Sequence, residues 1–433
     1  MAKKRSRVDR LQNLAIVLLT LSALTLLASM PLFGALSDQS LIDLAGGWFK
    51  RDKSPARNES VELTALSAPV RLMLSNAYTR LGLDALTTQD DAFNPAGSYL
   101  GEAIGSASMP EEATQEDFLA ALGGTGIYFD FTAPLPLDAL ALTLGITAPE
   151  LPLSDVHRAL LCPGEYDSLT LYLQDSAERF YRCDTALGSA ELLSYLSALD
   201  GNGAEFALFA GRDYESLSPY TMVLSELPAR CTLDAGTPFS VLDSADFLRL
   251  AEFNAHTENR YVESSGTVIV RETSSTLHLN PNGTVSYQGS SAKEGSIYAV
   301  SSAFPGEPTL SESVSAAQKL VLTLLQHQIG DAEIYLAGVS QDEDSCEISF
   351  DYMYGGTPIR FADGNHAAVV TVKGASITAF ALHLRHYTAG ASDALVLPLR
   401  QAAAIARSAP GTELTIVYVD SAGDRVEPCW VMD

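Results

Sequence analysis

The chain has 433 residues, of which 47% are hydrophobic and 18% charged, enough for two or three globular domains. Its formal net charge of −26 argues against nucleic-acid binding, because an acidic surface repels phosphate groups. The five cysteines form no CxxC pair, which argues against a zinc site of the usual spacing, and their odd, sparse number argues against a disulfide framework.

The N-terminus combines a basic tip with a long apolar segment. Residues 1–13 contain five Lys or Arg and one Asp, a net charge of +4, so the rest of the chain carries about −30. Residues 14–36 contain no charge and would span roughly 34 Å as a helix, enough to cross a hydrocarbon core of roughly 30 Å. We predict a single transmembrane helix over residues 14–36. The tip would be cytoplasmic and the body extracytoplasmic, because basic flanks stay inside.

A cleaved export signal is the alternative for this segment. Export signals have shorter apolar regions, and cleavage after Ala35 would place Phe33 where a small residue is required. Within a retained helix, Ser22, Thr25 and Ser29 share one face, and small or hydroxylated residues favour helix contacts in membranes. This face is the candidate contact site for a transmembrane partner; the alternative is that it only faces lipid.

The first part of the body is predicted to be mixed in structure. Residues 37–60 are a juxtamembrane linker, and residues 61–150 form an N-terminal mixed α/β domain. The clearest local signal is TQEDFLAALGG, where Thr114 can cap a helix, Asp117 can complete a capping box and two glycines end the helix. Residues 151–260 alternate in hydrophobicity with period two, which predicts a middle antiparallel sheet domain.

Residues 261–433 are predicted to form a C-terminal α+β domain. Asn282–Gly283 is the strongest hairpin signal in the chain, and SESVSAAQKLVLTLLQHQ predicts an amphipathic helix between strands. Its apolar face is predicted to consist of Val314, Ala317, Leu320, Val321, Leu324 and Leu325. The predicted fold class is therefore α+β, with two or three domains of antiparallel sheet and helices packed on one face of each sheet.

The sequence contains no convincing catalytic constellation. Ser290 and Lys293 match an S-x-x-K spacing, but they lie in a polar loop and the companion motifs are missing. His383 and His386 lie three apart in one predicted strand and would face opposite sides, so they would not share a metal. We therefore predict no catalytic residue, no metal site and no cofactor.

Several segments, taken in order, resemble a known family. They are RLQNLAIVLLTLSALTLL, SAPVRLMLSNAYTRLGLD, TQEDFLAALGGTGIYFDFTAPLPLDALALTLG, LHLNPNGTVSYQG, DYMYGGTPIRF and VEPCWVMD. Together they resemble the YycH/YycI family of Gram-positive bacteria, and the chain is more similar to YycH in its length and in GIYFDFTAPLPL. The resemblance covers most of the chain as an order of parts.

The resemblance implies a regulatory function without catalysis. It implies a single-pass cell-membrane protein that regulates a WalK-type sensor histidine kinase of a two-component system. Its partners would be the kinase and a YycI-like protein, contacted through transmembrane helices and outer domains. The residues alone leave an alternative open. The acidic composition and the expected edge strands also suit an envelope-anchored binding module for a peptide, glycan or cation.

Overall fold

The computed structural model describes residues 67–433, apart from positions 77, 148, 239–244, 257, 273, 290–297, 301–307, 326 and 343. The tip, transmembrane helix and linker predicted for residues 1–60 lie outside this described part. Within it, no helix is both long enough and apolar enough to cross a membrane. The described residues belong to one compact unit.

The described chain alternates short helices with strands. The helices are α1 (Asn94–Gly105), α2 (Gln115–Leu122), α3 (Leu137–Thr143), α4 (Ser189–Ser197), α5 (Ala245–Leu250), α6 (Leu310–Leu325) and α7 (Leu399–Ala406). The first strands are β1 (Pro69–Ser75), β2 (Arg80–Thr87), β3 (Glu111–Ala113), β4 (Gly126–Pro136), β5 (Asp155–Pro163), β6 (Ser168–Gln174), β7 (Phe180–Gly188), β8 (Glu205–Phe206), β9 (Met222–Val223) and β10 (Cys231–Gly236). The later strands are β11 (Arg260–Val262), β12 (Val268–Glu272), β13 (Ser275–Leu279), β14 (Thr284–Gly289), β15 (Glu333–Gln341), β16 (Cys346–Tyr354), β17 (Thr357–Phe361), β18 (Ala368–Lys373), β19 (Ser376–His383), β20 (His386–Asp393), β21 (Leu414–Asp420), β22 (Arg425–Val426) and β23 (Pro428–Met432).

A seven-stranded antiparallel sheet, ordered β2-β1-β4-β5-β6-β7-β3, forms the N-terminal half. Successive side chains of β1 face opposite sides, and Leu72, Met73 and Leu74 are all buried. Helices α1, α3 and α4 pack on the side of Leu72 and Leu74. Helix α2 and residues 204–222 pack on the side of Met73. The prediction of helices on one face is therefore wrong for this sheet, because both faces are apolar and both must be covered.

Strand pairing joins segments that the sequence predicts as separate domains. The predicted boundary between residues 150 and 151 falls between β4 and β5, which are adjacent strands of the first sheet. Strand β10 precedes the predicted boundary at residue 260, yet it pairs with β20 and β22 from the C-terminal part. Buried apolar residues of both halves, from Val70 to Val426, form one continuous cluster.

An eleven-stranded sheet forms the C-terminal half. Ten strands follow the order β11-β12-β13-β14-β19-β18-β16-β17-β21-β23, and β15 pairs with β16. One edge of β16 pairs with β15, and the other pairs with β18 and then with β17. The pairs of this sheet are antiparallel except β17 with β21, which are parallel. Helix α6 packs on β16 and β18, and the six residues predicted for its apolar face are all buried, which confirms that prediction.

The strongest local signals of the sequence are confirmed. The hydroxyl of Thr114 accepts from the backbone N–H of Asp117, whose carboxylate accepts in turn from the Thr114 N–H, so the capping box of α2 is complete. Asn282 and Gly283 lie in the turn between β13 and β14, with Gly283 at φ +89°. The α+β class with mainly antiparallel sheets is confirmed as well.

The two large sheets approach each other closely at a glycine turn. Gly355 and Gly356 connect β16 to β17, and both have positive φ, +51° and +69°. A Cβ added to Gly356 would lie 2.5 Å from the backbone carbonyl carbon of Ala85 in β2. A Cβ at Gly355 would meet nothing within 4 Å. Gly356 is therefore required for the contact between the sheets, whereas Gly355 only provides backbone freedom.

Substituting the two glycines should separate these roles. Gly356→Ala should lower the free energy of unfolding by about 2–4 kcal/mol, because backbone must move in addition to the cost of positive φ. Gly355→Ala, the matched control, should cost about 1–2 kcal/mol from backbone conformation alone. Urea denaturation of both variants measures the difference. Equal destabilisation would contradict the assigned role of Gly356.

Candidate functional site

The candidate transmembrane contact residues Ser22, Thr25 and Ser29 lie outside the described residues. Within the described part, one surface feature suited to contact another protein is the outer edge of β23. This strand ends the order of the C-terminal sheet and pairs with β21, and no other described strand pairs with it. An edge strand of this kind presents unpaired backbone groups to another chain.

The register shows which backbone groups of β23 are free for a partner. Glu413 and Asp433 exchange both N–H to carbonyl hydrogen bonds, each 3.0 Å long. In an antiparallel pair such hydrogen-bonded positions alternate with non-bonded ones. The pair of Leu414 with Met432 and the pair of Ile416 with Trp430 are therefore non-bonded. The N–H and carbonyl groups of Trp430 and Met432 consequently point towards the open edge.

Apolar side chains line this edge, and we call Leu395, Leu397, Trp430 and Met432 the apolar rim. The Trp430 indole N–H donates to the carbonyl of Leu397 at 2.8 Å, which holds the segment before α7 against β23. Leu397 and Met432 are about half exposed, and Leu395, two residues before Leu397, is 99% exposed. Fully covering Leu395 would remove apolar surface worth about 1.5–3 kcal/mol, and covering a half-exposed side chain about half of that. Trp430 itself is partly buried, against the cluster around α7.

A buried ionic cluster fixes the strand that supports this edge. Its sheet members are register partners on adjacent strands: Arg71 of β1 opposes Asp130 of β4, which opposes Arg158 of β5. Arg71 forms an ion pair with Asp130. Glu413, directly before β21, accepts hydrogen bonds from both Arg71 and Arg158. Arg158 also donates to Gln174 at 3.0 Å. Glu413 thus connects the first sheet to β21, and through its backbone to the end of β23.

Burial and proximity set the protonation states in this cluster. Burial raises the pKa of Glu413, reinforced by the nearby Asp130 charge and opposed by Arg71 and Arg158. Burial would also raise the pKa of Asp130, but the two arginines outweigh it and hold that pKa below its usual range. His157 lies at the margin, with Nε2 4.0 Å from Asp130 Oδ1. Burial and the positive charge of Arg158 lower its pKa to about 4.

The sequence interpretation missed this cluster, although a signal was present. Arg71, Asp130 and Arg158 are single charges inside the apolar runs VRLML, YFDFT and VHRALL. Isolated charges in buried strands indicate partners, because an unpaired buried charge is very costly. The identity of the partner was not accessible, since Glu413 is 342 residues from Arg71 in the chain.

Two of the residues considered for chemistry are placed differently from the prediction. His383 ends β19 and His386 begins β20, so they do not lie in one strand as predicted. The strand breaks between them because Arg385 turns inward to the buried Asp420, with hydrogen bonds of 2.7 and 3.1 Å. His383 Nδ1 forms a hydrogen bond with the His366 carbonyl oxygen. His386 Nδ1 forms one with the Gln328 carbonyl oxygen.

The remaining candidates give no assembled chemical site. Ser290 and Lys293 lie outside the described residues. All five cysteines are free thiols. In the described part of the chain, no group of three or more His, Cys, Asp or Glu side chains is placed to hold a metal ion.

Comparisons with known proteins return no relative. No protein-family model, no curated protein and no solved structure matches this chain.

Removing the central charge of the cluster should be strongly destabilising. Glu413→Gln keeps the size of the side chain but leaves two buried arginines with one carboxylate, and should cost about 3–5 kcal/mol. Glu427→Gln is the matched control, because its pair with Arg425 at 3.2 Å is exposed and should contribute less than about 1 kcal/mol. Chemical denaturation at pH 7 measures both. Similar values for the two variants would contradict a structural role for Glu413.

The depressed pKa of His157 predicts an acid-dependent loss of stability. The folded state binds this proton only near pH 4, whereas the unfolded chain binds it near 6.5, so stability is complete above 6.5 and falls as the pH drops towards 4. The loss should reach up to about 3 kcal/mol and should be absent in His157→Gln. His366→Asn is the control. Asp351 raises the pKa of His366. The contribution of His366 to stability is therefore complete below pH 6.5 and is lost at higher pH. If the free energy of unfolding of His157→Gln falls with acid as steeply as that of the wild type, the prediction is contradicted.

Proposed function

We propose that this protein is a membrane-anchored extracytoplasmic accessory protein that regulates a two-component sensor histidine kinase by direct contact. A transmembrane helix over residues 14–36 anchors it in the cell membrane, with a cytoplasmic tip and an extracytoplasmic body. The sequence resemblance to the YycH/YycI family supports this proposal, as does the uncharged length of the anchor. A YycI-like protein is a second partner.

The single structural observation that carries the proposal is the open edge of β23 with its apolar rim. Strand addition to an edge uses backbone hydrogen bonds for affinity and side-chain contacts for specificity. The outward backbone groups of Trp430 and Met432 supply the hydrogen bonds, and the apolar rim supplies the side-chain contacts. We propose that a strand of the kinase's extracytoplasmic domain pairs with this edge.

The anchoring of β23 makes this edge suitable for transmitting a signal. The strand is held at Asp433 by the backbone pair with Glu413 and by the exposed ion pair of Asp433 with Arg360. Glu413 in turn is fixed by two arginines of the first sheet. A force on β23 therefore acts on both sheets, and a partner bound there is held by a stiff body.

Blocking the edge tests the proposal. Met432→Pro removes an outward N–H and leaves the bonds to β21 intact, because proline is tolerated where its nitrogen faces away from the ladder. Output from a kinase-dependent promoter should change to the level of a deletion strain, and crosslinking to the kinase in native membranes should be lost. Val262→Lys is the matched control, on the exposed edge strand β11 at the opposite end of the sheet. It should leave promoter output and crosslinking unchanged.

A second variant tests the anchor. Residues 14–36 are replaced by an unrelated single-pass helix, and export and promoter output are measured. Loss of regulation in an exported protein would make the anchor part of the contact, with the face of Ser22, Thr25 and Ser29 as the next residues to substitute. Retained regulation would leave the contact to the body.

Full regulation and full crosslinking in Met432→Pro would exclude the proposed edge contact.

A further inference from the structure

A second surface lies at one end of the first sheet, far along the chain from the apolar rim. The β1–β2 hairpin, the start of β4 and the β5–β6 turn share this end, because Ser75 pairs with Gly126, Ile127 with Leu161, and Pro163 with Leu169. Two clefts, of about 710 and 510 Å³, open here. Both are lined by Gly124 and Thr125, so they adjoin and form one groove, which we call the sheet-end groove.

The floor of the sheet-end groove is polar and carries charges of both signs, Arg80 and Arg182 against Asp117, Glu165 and Glu205. Arg80 forms an ion pair with Glu205 and donates to the carbonyl of Gly123 at 3.2 Å. Among the residues that line the two clefts within the described chain there is no Val, Leu, Ile, Met, Phe or Trp. With one more carboxylate than arginine, the lining disfavours an anionic ligand, and it lacks the large apolar pockets that anchor peptide side chains.

Glycines keep the groove open by close backbone packing. A Cβ at Gly201 would lie 2.8 Å from the carbonyl oxygen of Arg80, and a Cβ at Gly164 would lie 2.4 Å from the hydroxyl of Thr170. Asn76 fixes the hairpin at one end. Its side-chain oxygen accepts from the N–H groups of Tyr78 and Thr79 at 2.8 Å. The groove is thus a preformed surface, which lowers the cost of binding.

An almost fully exposed tyrosine stands at each end of the groove. Tyr78, which lines the first cleft, is 94% exposed, and Tyr166, next to Glu165 in the second, is 97% exposed. Three strand spacings separate the two hairpins, about 14 Å at about 4.8 Å each. Neither ring contributes to the core. Exposed tyrosines at both ends of a polar groove provide flat faces for a ligand to stack on.

Tyr166 lies in a strained backbone conformation that a glycine would relieve. Tyr166 and Asp167 occupy the two central positions of the β5–β6 turn with φ of +54° and +61°. Turns of this type favour Asn-Gly, and a bulky side chain at positive φ is disfavoured. Since the ring is exposed, no packing offsets this strain. A glycine at position 166 would therefore relieve strain without removing a core contact.

We propose that the sheet-end groove binds an extended, uncharged oligosaccharide of pyranose rings. The tyrosine rings stack on the apolar faces of sugar rings, and the floor bonds their hydroxyl groups. The paired charges of Arg80 and Glu205 present both donors and acceptors without a net charge. This function goes beyond kinase regulation and does not rest on it, because the groove and the apolar rim use different residues.

The test uses the full-length protein in detergent and two β-1,4-linked probes, cellohexaose and chitohexaose, with binding measured by calorimetry. At least one probe should bind, and Tyr166→Gly should weaken it at least tenfold while raising the melting temperature. Glu178→Gly is the matched control. Glu178 also has positive φ (+59°) and is exposed, but it lies in the β6–β7 turn at the opposite end of the sheet.

Each outcome of this experiment decides the proposal. Glu178→Gly should raise the melting temperature and bind like the wild type. The proposal is overturned if neither probe binds, or if Tyr166→Gly and Glu178→Gly bind equally well. Stronger binding of an unstructured polar peptide than of both sugars would also overturn it and would identify the groove as a peptide site. Promoter output in Tyr166→Gly should stay at the wild-type level. A failure of the sugar-binding proposal would therefore not count against the regulatory proposal.

Discussion

The two-fold ion pairing of Glu413 is the interaction on which the arrangement of the described chain depends. One carboxylate accepts from Arg71 and Arg158, which lie on strands of the N-terminal sheet, while its backbone forms part of the C-terminal sheet. Removing two or more charges from water is costly, and only good geometry compensates for it. The value of such a cluster lies in specificity, because the observed placement of the two sheets pairs these charges with opposite ones.

Two further buried arginines follow the same principle. Arg385 bonds Asp420 at 2.7 Å, and the hydroxyl of Tyr387 donates to the same carboxylate, also at 2.7 Å. Arg230 bonds Asp84 of β2 at 2.7 Å and Thr357 of β17 at 3.1 Å, beside the glycine turn where the sheets touch. Each pair joins segments from different parts of the chain. Buried charge therefore determines the assembly of strands whose apolar surfaces alone would fit several partners.

This internal order leaves two different kinds of surface for contact. The apolar rim at β23 is an unpaired strand edge with exposed leucines, which suits another protein. The sheet-end groove is polar, carries charges of both signs and is flanked by tyrosines, which suits a sugar chain. The rim lies next to the Glu413 linkage, whereas the groove is formed by hairpin tips and glycine loops.

The sequence by itself determined the local structure. It identified the capping box at Thr114, the hairpin at Asn282–Gly283 and the apolar face of α6, because these depend on residues close together in the chain. Only the tertiary structure decided the rest. It joined strands across the predicted boundary at residue 150, covered both faces of the first sheet, broke the predicted strand at Arg385 and brought Glu413 to Arg71. These features depend on pairings between distant segments. A lone charge or an alternating strand shows that a partner is needed, but the identity of that partner is set by the register and burial of the assembled sheets.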